Sequence, residues 1–166
     1  MNRSDFRKLF TYSDNCWRLF GETLTANPTT WDASFQTTSQ WNTIRLLLAH
    51  SIAAEERIVS MRLQNLALPQ SYEERAAASW DGLYKDQQAI RAATYAYLDS
   101  LSDKDIEEET PVLPAVGGHG ALTRSDWLFH ILNHENYHRG QVITTLQRIG
   151  IDPPNFDYVL LKGFLL

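Results

Sequence analysis

Three of the chain's five histidines fall within one short segment, Phe129-His130-Ile131-Leu132-Asn133-His134-Glu135-Asn136-Tyr137-His138-Arg139-Gly140-Gln141. Imidazoles are the commonest protein ligands for transition metals. On an α-helix a four-residue step advances about 400°, so successive histidines rise one turn and swing about 40°. Two rings so placed can grip one ion from a single face. Spacing alone leaves two pairs open, His130 with His134 and His134 with His138. Ile131, His134, His138 and Val142 follow one another at steps of three and four, which turns His134 and His138 toward an apolar interior. Buried neutral imidazoles need partners for both ring nitrogens, and a metal on one with a hydrogen bond on the other supplies them.

A third ligand has to come from another helix. His50 lies on the inward line Leu47, His50, Ala54, Ile58. Alone, a histidine there reads as a hydrogen-bonded core residue. Beside the other two it completes a three-imidazole set with a coordination position left for water or substrate, as in catalytic metal centres.

Four helical segments would position these residues. The first runs from about Ser4 to Ala26 on Phe6, Leu9, Phe10, Trp17, Phe20 and Leu24, and Asn27-Pro28 ends it. The second spans roughly Ser39 to Asn65, opened by Thr37 with Gln40 as a capping box and closed by Leu68-Pro69. The third runs from about Tyr72 to Leu101, with Glu73 and Glu74 complementing its dipole. The fourth begins near Thr123, with Asp126 three residues on, and stops at Gly150. Between the third and fourth, Ser102 to Arg124 reads as a long crossover carrying a short irregular hairpin. Glu107-Glu108-Glu109 within it is a solvated charge run. The tail from Asp152-Pro153-Pro154 cannot begin as helix and is expected to pack across the bundle. The fold class is all-α, a four-helix bundle forming a single domain over residues 1–166.

Composition narrows the function. A net charge of -5 and fifteen scattered Lys and Arg give no basic footprint, so nucleic acid is not an expected partner. No apolar stretch reaches membrane-spanning length, and the first residues lack a signal core, which makes cytoplasmic the expected location. Cys16 is the only cysteine, so no thiolate cluster competes for the metal, and it reads as a small buried hydrophobe.

The segment from His130 to Gly150 resembles the last bundle helix of the DinB-like (DinB/YfiT) superfamily of metal-dependent enzymes. Asn133-His134 followed by Tyr137-His138-Arg139-Gly140-Gln141 is close to that family's motif. Leu46-Leu47-Leu48-Ala49-His50, with Ala54-Glu55 after it, resembles the family's first metal-binding motif. The likeness extends over the helix order, the long third connection and the Pro-rich tail. It implies His50, His134 and His138 as ligands of a divalent transition metal, zinc or nickel. His130, one turn lower, then packs or lines the pocket. Glu55 either touches a group behind the ligands or forms a surface salt bridge, and Arg139 and Gln141 brace the helix. The resemblance further implies a small-molecule substrate, with a low-molecular-weight thiol and a thiol-dependent transfer as the leading expectation, and a homodimer. A non-catalytic, stress-related metal-binding bundle is the alternative, and the family's name refers to DNA-damage inducibility.

His134-Glu135-Asn136-Tyr137-His138 is also a literal H-E-x-x-H, in which Glu135 would serve a zinc hydrolase as general base. Such enzymes take a third ligand downstream, yet no His or Glu follows His138. Glu135 also points about 100° away from His134 around the helix. The hydrolase is the weaker reading.

Overall fold

The computed structural model describes residues 1–34, 39–76, 78–111 and 121–161. It is predominantly α-helical. Helix α1 (Arg3–Ala26) starts at a capping box between Asn2 and Asp5. Helix α2 (Ile44–Glu56) continues into a π-helical turn, Arg57–Leu63, closed by Asn65 at φ 53°, a conformation asparagine tolerates better than most residues. Short α3 (Tyr72–Arg75) precedes α4 (Trp80–Ser100) and α5 (Asp103–Ile106). Strands β1 (Glu109–Pro111) and β2 (Ala121–Thr123) pair antiparallel. They lead into α6 (Arg124–Arg148), which carries the histidines, and a short α7 (Tyr158–Leu161) follows. Helix α2 packs on α6 and α4, and α1 on α4 and α6. Among the described residues no helix is long and apolar enough to cross a membrane.

The expected ends of the first and fourth helices agree with those observed, because their caps are local. Thr123 accepts from the Asp126 amide while Asp126 returns a bond to the Thr123 amide. Gly150 sits at φ 79° just past α6, where its amide bonds Gln147 and Ile151 bonds Leu146.

Two expectations need correction. The second helix begins at Ile44, where Thr43 accepts from the Leu46 amide; Thr37, the expected cap, lies outside the described residues. The third helix is not continuous. Ala76 is extended (ψ 137°), and Ser79 caps a fresh start by accepting from the Gly82 amide. The break lets two large aromatics settle independently. Tyr72 is fully buried with its hydroxyl on Asp86 at 2.9 Å. Trp80 stacks on Trp17 and lies so close to Gly21 that a Cβ there would come within 2.8 Å of the indole. The hairpin expected in the crossover has described counterparts in β1 and β2, and residues 112–120 between them lie outside the described set.

The interior is divided. One apolar cluster gathers Trp17, Phe20, Leu47, Ile52, Leu83 and Val142, and a second gathers Phe6, Phe10, Ile58, Leu98, Leu128 and Ile131. In each long helix a buried polar residue stands in sequence between its contributions to the two: Ser13 in α1, Glu55 in α2, Arg91 in α4 and Glu135 in α6.

Candidate metal centre

His50 comes from the middle of α2, and His134 and His138 from consecutive turns of α6, which packs against it. His50 and His138 are buried and His134 half-buried. One ring nitrogen from each can be chosen so that all three lie within 4.8 Å of one another. Among the described residues no fourth His, Cys, Asp or Glu joins them. The Nε2 atoms of His134 and His138 face each other at 3.2 Å. Two ligand nitrogens on one tetrahedral zinc stand about 3.3 Å apart, given bonds of about 2.0 to 2.1 Å.

In two of the three rings the opposite nitrogen is engaged. His138 Nδ1 donates to the Gln141 side-chain oxygen at 2.6 Å, and His50 Nδ1 donates to Glu73 at 3.0 Å. With Nδ1 protonated, these two rings each present an Nε2 lone pair. Lone pairs turned toward one region are costly in a buried site unless an electrophile sits among them. This donor set fits a transition metal, which the three imidazoles would hold.

Electrostatics keep the rings neutral, as ligation requires. Burial lowers the pKa of His50, and the bond to Glu73 only partly offsets it. His134 is pushed down to about 3, first by burial and then by the adjoining His138, His50 and His130. His138 is lowered by burial despite Gln141. Trp41 stacks on the His50 ring, centroid to centroid 3.5 Å.

The remaining candidates lie elsewhere. His130 is exposed, edge-on to Trp127, with its ring centroid 5.7 Å from that of His134 but outside the converging set. Glu55 and Glu135 turn into the belt between the two apolar clusters. Arg91 binds Glu55 through two nitrogens at 2.8 and 3.0 Å, Glu135 at 3.1 Å and Asp14 at 2.7 Å. Thr94 donates to Glu55 and Ser13 to Glu135, and Trp17 adds an indole N–H to Glu135. Burial by itself would lower the Arg91 pKa, but Glu55, Glu135 and Asp14 hold it well above its ordinary value. The H-E-x-x-H glutamate is therefore committed to Arg91, Ser13 and Trp17. Glu55 is a buried ion-pair partner and forms no surface salt bridge. Arg139 braces locally, its guanidinium 3.9 Å from Glu135 and over the Tyr12 ring, and Gln141 braces His138.

Glu73, Arg57 and Trp41 around His50 were not singled out as site residues from sequence. Nor was Arg91, although a signal for it exists. Leu83, Gln87, Arg91, Thr94 and Leu98 keep core-facing spacing, so a charge on that line demands a buried partner.

The model of the DinB family matches residues 12–163. A crystal structure of a DinB-like protein from Bacillus cereus ATCC 10987 superposes with a TM-score of 0.69 over 93% of this chain and 99% of its own, at 16% identity. That likeness is one of fold. None of the curated proteins matches the chain in sequence.

Proposed function

Since the chain belongs to the DinB family and its His50, His134 and His138 can together hold a metal ion, we propose that it is a four-helix-bundle metalloenzyme of small-molecule chemistry. The leading activity is transfer of a low-molecular-weight thiol. The observation that carries this reading is the convergence of three neutral imidazoles with no fourth ligand among the described residues. Such a set suits zinc or nickel. A metal with an open position binds a thiol and lowers its pKa, so that thiolate is available near neutral pH. The chain's part is to hold the ring nitrogens convergent and neutral.

Metal analysis tests the first half. The protein exchanged against zinc or nickel is expected to retain one ion per chain, and the His134→Ala/His138→Ala variant none; a metal-free wild type after both exchanges ends the reading. The second half is tested by a panel of small thiols and electrophiles, in which conjugation depends on the ion and on all three histidines.

One observation favours a second reading, a non-catalytic metal-binding bundle. Glu55 and Glu135, the acids nearest the ligands in sequence, are both taken up by Arg91. Inactivity of the metal-loaded protein across the panel selects that reading. The same commitment of Glu135 removes the base that a zinc hydrolase would need.

A further inference from the structure

His50 differs from the α6 pair in what stands behind it. His138 is braced by Gln141 within its own helix, three residues away. The brace on His50 comes from a different element, 23 residues away. Glu73 sits on α3, and its carboxylate accepts from His50 Nδ1 at 3.0 Å while Arg57 Nη1 contacts both its oxygens at 2.8 and 2.7 Å. Arg57 opens the π-helical turn directly after α2, so ligand and clamp lie on one continuous helical segment.

Short α3 is itself moored. Tyr72 is fully buried with its hydroxyl on Asp86, and Arg75 pairs with Glu56. A four-residue helix has little stability of its own, so these moorings fix where Glu73 stands. Had α3 run on into α4, Glu73 would belong to that helix's first turn. The break between α3 and α4 frees it to sit against α2.

We propose that Glu73, held by Arg57, is the positioning residue of the metal centre, fixing His50 as the Nδ1-protonated tautomer so that its Nε2 meets those of His134 and His138. This rests on the metal-centre reading above. A carboxylate behind a ligating imidazole orients the ring and raises its basicity, and losing such a partner typically lowers metal affinity about 10- to 100-fold. Arg57 confines that carboxylate to one orientation, since one nitrogen spans both oxygens.

Two measurements test this on the full-length protein. Chelator competition with Zn²⁺ and Co²⁺ compares wild type, Glu73→Gln, Glu73→Ala and Glu56→Gln. The amide oxygen of Gln can still accept from Nδ1, so affinity should fall modestly in Glu73→Gln and about 10- to 100-fold in Glu73→Ala. Glu56→Gln gives up only the exposed pair with Arg75, while buried Tyr72 on Asp86 still holds α3 and Glu73 in place, so it should bind as wild type does. Equal affinity of Glu73→Ala and wild type, or an equal loss in Glu56→Gln, overturns the proposal. The second measurement needs no metal: imidazole ¹⁵N spectra should show His50 as one Nδ1-H tautomer in wild type and as a mixture in Glu73→Ala. Mixed tautomers in wild type would refute the positioning role, whereas failure of wild type to bind any ion would refute the metal reading first.

Discussion

His134 and Glu135 are adjacent in sequence, yet they enter two buried polar clusters of opposite character. Glu135 joins Arg91, Glu55, Ser13 and Thr94, where carboxylates meet a guanidinium and hydroxyl donors. His134 joins His50 and His138, where neutral rings turn nitrogens toward a shared space. The first cluster is complete as it stands, and its contribution is to align four helices. The second is complete only with something added. Buried polar groups that satisfy one another point to architecture, and those that converge without a partner of opposite character point to a ligand.

The contrast can be broken most severely at Arg91. Arg91→Met strands two buried carboxylates and should cost about 3 to 5 kcal/mol of stability in urea unfolding, while the folded fraction keeps its metal affinity. A small loss would mean that the belt is no keystone. The histidine cluster should respond the other way round. Free metal at about 100 times its Kd should stabilise wild type by about 2.7 kcal/mol and leave His134→Ala/His138→Ala unmoved, with the metal-free variant losing less than Arg91→Met does. Ser13→Ala sharpens the comparison more gently. Glu135 keeps Trp17 and Arg91, so loss of one hydrogen bond to a carboxylate should cost about 1.5 kcal/mol.

A further effect is one of pH. His134 falls from an ordinary 6.5 to about 3 in the fold, chiefly through burial, so between those values the unfolded chain takes up a proton that the native chain refuses. Its contribution is whole above pH 6.5 and is lost as pH falls toward about 3. Metal-free urea midpoints of wild type and His134→Ala, compared at pH 7 and about 4.5, should converge on acidification; parallel lines would show that the ring does not titrate as its surroundings dictate.

The two clusters were not equally legible in the sequence. His134 and His138 announce themselves because a helix period converts spacing into direction. The ends of α1 and α6 follow from caps whose partners lie three or four residues away. On a continuous third helix Glu73 reads as a helix-dipole acid, and only the break between α3 and α4 moves it beside His50. Arg91 stands 36 residues from Glu55 and 44 from Glu135, distances over which no local period operates. What the sequence hides here are ion pairs made between helices whose relative rotation is set by packing.

Trp41 adds an optical consequence. Its indole lies over the His50 ring at 3.5 Å, within van der Waals contact and tilted by only 19°. An excited indole loses emission to an electron-poor neighbour, and an imidazole becomes one on accepting a proton or a cation. The chain thus carries an intrinsic fluorophore against one of its three candidate ligands, and arrival of charge at that ring should dim its emission without any label attached.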